Sequence, residues 1–139
     1  MTGGQIETFI FERLKTMRLP ISGKVYYGGT RPTQDRQKSN RREDIIVKVL
    51  AGTAGQIEKG SCVVNAYVPD IMAHSGQRYA DRKRCDIIGA WLETLPKVLT
   101  QSGDIQFRQS DIILTLEEEA TGEHFVSLKM DFKLLNTNY

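Results

Sequence analysis

Hydrophobic positions along this chain switch between helical and two-residue periods, and each switch marks an element. Near the start, Ile6, Phe9, Ile10, Leu14 and Met17 recur at helical spacing and form one apolar stripe. Thr2-Gly3-Gly4-Gln5 in front of them fits a capping box, which satisfies free backbone donors where a helix begins. Pro20 ends that helix. "GKVYYGG" then reads as a short strand between glycines, and "EDIIVKVLAG" as a second strand. "GSCVVNAYVPD" alternates, with Cys62, Val64, Ala66 and Val68 on one face and Val63, Asn65 and Tyr67 on the other. The turn residues of "AGTAGQIEKG" make these last two strands an antiparallel hairpin.

From about Gln77 to Leu95 the period is helical again, and Cys85, Ile88, Trp91, Leu92 and Leu95 form a stripe suited to lie on a sheet. Pro96 lacks a backbone donor and crowds the preceding turn, so it kinks or restarts this helix; Gly103 is a natural stop. Alternation returns at Ile105 and Phe107, at Ile112, Leu114 and Leu116, and most clearly at Val126, Leu128, Met130, Phe132 and Leu134. "EEATGEH" supplies the turn before the last of these. The predicted order is α-β-β-β-α-β-β, with an extra short strand near Ile105. That order is α+β: an antiparallel or mixed sheet with two helices packed on one face, in a single domain over residues 1–139.

Composition supports a folded chain. The 139 residues are 40% hydrophobic and 26% charged, ordinary for a globular domain able to bury its own core. No run approaches the ~18 apolar residues of a membrane-spanning helix. Glu7 and Glu12 interrupt the first apolar stripe, so it does not read as a signal peptide. Cys62 and Cys85 have neither CxxC spacing nor a neighbouring histidine pair, and read as small buried hydrophobes in a reducing compartment. The net charge of +2 decides little, but its distribution is uneven. Residues 1–50 carry ten Lys and Arg against five Asp and Glu, whereas residues 101–139 carry three against seven. Such a split serves steering or self-association when it is not simply solvated surface.

Motifs for catalysis are scarce. His74 lies in a loop and His124 opens the final strand, and nothing near either one supplies the nucleophile and orienting carboxylate of a triad at a recognisable motif. No Cys/His cluster suits zinc, and "YYGGTRP" lacks the glycine spacing that cradles phosphate. No catalytic, cofactor or metal site is therefore assigned. Glu117, Glu118 and Glu119 read as an exposed strand end that blunts a sheet edge. Two basic groups remain. Arg31, Arg36, Lys38, Arg41 and Arg42, against Asp35 alone, lie in a polar loop over residues 31–42. Arg78, Arg82, Lys83 and Arg84 read as one helix face, solvated or in touch with phosphate. The loop has no aromatic residue for base stacking, so it contacts a polyanion nonspecifically, docks on an acidic neighbour, or is a mobile connection.

Together the strings "GKVYYGGTRP", "EDIIVKVLAG", "VVNAYVPD" and "HFVSLKMDFKLLN", with the two helices, resemble the tail terminator (tail completion) proteins of long-tailed, lambda-like bacteriophages. The positions that carry the likeness are Val25, Tyr26, Arg31, Pro32, Glu43, Asp44, Val64, Asn65, Tyr67, Val68, Pro69 and Asp70. It spans nearly the whole chain, through short degenerate strings. The resemblance implies a phage or prophage structural subunit, not an enzyme, that forms a sixfold ring on the finished tail tube. The ring stops polymerisation and offers the head-joining surface. Implied partners are copies of itself, the tube protein and a head-completion or connector protein, with nonspecific DNA contact in the lumen and no membrane. The implied place is the virion neck, after synthesis in the host cytoplasm. Another neck or joining protein, and a small nucleic-acid-binding module using the basic residues, are the alternative readings.

Overall fold

The computed structural model describes residues 1–28, 42–50, 57–101, 103–118 and 121–135. The first helix, α1, is Gly3–Lys15, and strands β1 (Val25–Tyr27), β2 (Asp44–Val49) and β3 (Lys59–Pro69) follow. A two-residue pair, β4 (Ile71–Met72) and β5 (Arg78–Tyr79), precedes α2 (Arg82–Leu92) and α3 (Leu95–Thr100). The chain closes with β6 (Ile105–Gln109), β7 (Leu114–Glu118) and β8 (Glu123–Leu134). The fold is α+β, with one six-stranded mixed sheet and the small β4–β5 sheet beside it.

The main sheet runs β1-β2-β3-β8-β6, and β7 also pairs with β8. All neighbours are antiparallel except β1 and β2, which run parallel, Val25 opposite Ile45 and Tyr27 opposite Val47. β8 is the long central member. Its first half pairs with β7 and its second half with β6, so those two strands share one side of it.

The period-two alternation sorts the side chains onto two faces. Cys62, Val64 and Ala66 stand opposite Met130, Leu128 and Val126, and all six are buried. Ile45, Val47, Val49, Ile105 and Phe107 extend this layer. α1 covers it with Ile6, Ile10 and Leu14, α2 with Cys85, Ile88 and Leu92, and α3 with Leu95 and Leu99. The capping box forms as expected: Gln5 N donates to Thr2 Oγ1 at 3.1 Å and Thr2 N to Gln5 Oε1 at 2.8 Å. Pro96 sits in the first turn of α3, where a missing donor costs nothing, so it restarts the helix.

Three expected boundaries are corrected. The first helix ends at Lys15 with Thr16 as its cap, so Met17 lies beyond it and Pro20 is not what stops it. The second helix starts at Arg82, not near Gln77, because Asp81 caps it by accepting from Arg84 N at 3.3 Å. Residues Arg78 and Tyr79 are instead extended and pair with Met72 and Ile71. The last outward-alternating strand begins at Leu114, leaving Ile112 outside it.

Acidic side chains tie the layers together. Glu7, buried on α1, accepts from Val49 N at 2.9 Å. Asp44 accepts from Lys24 N at 2.8 Å, while Gly23 N donates to Glu43 O at 2.8 Å. A Cβ at Gly23 would overlap both the Asp44 carboxylate and the Glu43 carbonyl, so only glycine permits this approach of β1 to β2.

Candidate assembly surface and polar sites

Of the two basic groups, the one read as a helix face, Arg78 with Arg82, Lys83 and Arg84, is not one surface. Arg31, Arg36, Lys38 and Arg41 lie outside the described residues, and Arg42 is half-buried at the entrance to β2. Arg78 is on β5 and not one helical turn from Arg82; its guanidinium packs over Gly122, whose φ of 66° makes the β7–β8 turn. Arg82 and Lys83 are exposed on the first turn of α2. Arg84 turns away from them. Its Nε and one terminal amine each donate to the Glu43 carboxylate at 2.7 Å, and that amine also reaches Pro20 O at 2.7 Å. The bond to Glu43 raises the Arg84 pKa further, so this cation is spent inside the fold. The phosphate-binding reading loses Arg84 and Arg78 from its helix face.

A polar constellation that sequence reasoning missed lies where β3 and β8 meet at their ends. His124 Nδ1 and Asp70 Oδ1 are 2.6 Å apart, with Asp70 mostly buried. The register places Val68 opposite His124, and Asp70 N donates to Gly122 O at 3.1 Å, so the antiparallel pairing of β3 with the distant β8 brings the two together. The fold thus supplies His124 with a carboxylate from a segment 54 positions away, which no local motif announces. A cavity of about 340 Å³ beside it is lined by Cys85, Arg82, Asp86 and Thr115 as well as His124. An oriented imidazole and a thiol lining one cavity invite comparison with nucleophilic catalysis. Burial first, then Asp81, Asp86, Asp70 and Glu43, push Cys85 up from 9.0 to about 11, so it stays protonated at neutral pH. Among the described residues no group of three or more His, Cys, Asp and Glu is placed to hold a metal. No described helix is long and apolar enough to cross a membrane.

The sheet face away from the helices is the more distinctive feature. One row crosses three strands as Tyr67, Phe125 and Leu116, and the next as Asn65, Ser127 and Leu114. Tyr67 and Phe125 pack ring against ring, tilted by 31° with centroids 5.1 Å apart. Leu114 and Leu116 remain 43% and 42% exposed, and Ile112 just before them is 70% exposed. Glu117 and Glu118 continue the same strand, while Glu119 lies outside the described residues. A second apolar group sits on the β4–β5 pair, where Ile71, Met72 and Tyr79 are all exposed. It borders an open groove of about 910 Å³ that also contains Asp70, Asp81 and the Arg84–Glu43 pair. At the opposite edge of the sheet, the Tyr27 ring of β1 packs at a tilt of 41° on Phe11 of α1 with centroids 4.5 Å apart, and the Lys15 ammonium lies 5.0 Å from the Phe11 ring centre.

No protein-family model matches the chain, and no curated protein matches it.

Proposed function

We propose that this chain is a structural assembly subunit that works through its surfaces, and specifically a phage or prophage tail terminator. In this role it closes the finished tail tube as a ring and gives the head its joining surface. The observation that carries the reading is the apolar surface left outside the core on β7, on the β4–β5 pair and along the Tyr67–Phe125 row. Contiguous exposed apolar groups on a small domain mark a partner surface, whereas scattered single residues do not. The sequence resemblance, with its α+β order, supplies the kind of partner: copies of the chain, the tube protein and a connector.

The nucleic-acid alternative draws less support, because Arg84 is bound to Glu43 and Pro20 and Arg78 lies on a different element. Phosphate binding makes affinity fall steeply with salt, so DNA titrations at two ionic strengths separate the readings. The direct test is electron microscopy of the purified protein mixed with polymerising tube subunits. Capped tubes of bounded length are expected. Tubes that grow unchecked beside unbound protein would reject the role, as would normal tail lengths after deletion of the gene.

A further inference from the structure

The uneven charge of the chain acquires a geometry in the fold. Residues 13–24 carry Arg13, Lys15, Arg18 and Lys24 with no acid, and residues 110–118 carry Asp111, Glu117 and Glu118 with no base. The first group lies on and after α1 and leads into β1; the second brackets and ends β7. Strand order puts β1 and β7 at opposite sides of the sheet, four strand spacings apart. That is roughly 19 Å at about 4.8 Å per spacing. Each charged group neighbours apolar side chains that reach solvent: exposed Tyr27 against half-buried Phe11 on the basic side, exposed Leu114 and Leu116 on the acidic side. No described strand pairs with the outer edge of either β1 or β7.

We infer that the acidic β7 flank of one copy docks on the basic α1–β1 flank of the next, with Leu114 and Leu116 against Tyr27 and Phe11 inside a rim of opposite charges. The occupant is a second copy of this chain because the two flanks complement each other in both charge and apolarity. Two different patches on opposite sides of one subunit make a head-to-tail contact, which propagates around a ring; a single self-complementary patch stops at a dimer. The charged rim fixes register and rate of encounter, and the apolar centre supplies the contact that lasts. The inference rests on the assembly reading above and specifies its self-contact.

The test uses the full chain at low salt and millimolar concentration, as an equal mixture of ¹⁴N- and ¹⁵N-labelled protein, alone and with tube subunits. A zero-length carboxyl–amine cross-linker followed by mass spectrometry should join Glu117 or Glu118 of one isotope to Lys15 or Lys24 of the other. In sedimentation, E117K/E118K and K15E/K24E should each weaken self-association on the order of tenfold or more, since like charges then meet. Mixing the two variants should restore it, because each reversed patch finds its complement. Circular dichroism checks that both variants stay folded. An oligomer whose cross-links avoid both flanks, and which neither variant weakens, overturns this contact while leaving the assembly reading in place. A chain that stays monomeric with and without tube overturns both.

Discussion

Arg84 holds three parts of the chain at one point: the segment after α1 through Pro20 O, the start of β2 through Glu43, and α2, which carries it. Glu43 is 8% exposed, so removing its partner strands a carboxylate away from water. Arg84→Ala should destabilise the fold by about 2 kcal/mol, a figure reduced because the guanidinium itself is a third exposed to screening solvent. Arg84→Lys should recover only part of this, since a point charge cannot bridge a carboxylate and a carbonyl as a planar fork does. Urea denaturation of the two variants checks both statements, and equal midpoints for wild type and Arg84→Ala would remove the hub role. Sequence placed Arg84 on a helix and saw its charge. It did not show the partner, which is 41 positions away and reached only after β2 and α2 pack. His124 and Asp70, 54 positions apart, were hidden for the same reason.

At the level of elements, alternation tells which side chains share a face but not which face meets the helices. Val126, Leu128, Met130 and Phe132 turn inward on β8, as their near-zero exposure records. Leu114 and Leu116 alternate just as regularly on β7 and point the other way. Leu128→Ala should therefore cost about 2–5 kcal/mol, the usual toll of a cavity in a packed layer. Leu116→Thr should stay within about 0.5 kcal/mol of wild type, as surface changes do. Chemical denaturation distinguishes them, and a large cost at Leu116 would show that something in the folded subunit already covers it. The α+β class, the α1 capping box, the restart at Pro96 and the β2–β3 and β7–β8 hairpins were all legible, because each rests on local chemistry. The start of α2 was not. The Gln77–Ala80 stretch has no strong local preference, and pairing with β4 decides it.

For the molecule as a whole, the two cysteines tie stability to alkaline pH. Burial, then Asp131 and Glu7, raise Cys62 from 9.0 to about 12, and Cys85 rises to about 11. Both thiols keep their protons in the fold after the unfolded chain has begun to lose them. Their contribution is thus intact below the ordinary value of 9.0 and is lost as pH climbs through that value toward 11 and beyond. The melting temperature should decline across this window more steeply for wild type than for a Cys62→Ala, Cys85→Ala variant; parallel slopes would refute the assignment. The same whole-molecule view bears on the stretch between Tyr27 and Asp44. Because β1 and β2 point the same way, the chain leaving Tyr27 must travel back the length of a strand before Asp44 can begin. A two-residue hairpin cannot do that; same-direction neighbours demand a return path of about a dozen residues or more. The parallel pairing of β1 and β2 therefore calls for a connection of that order between Tyr27 and Asp44 whatever its composition. Its four arginines and single lysine are the part that calls for a biological explanation.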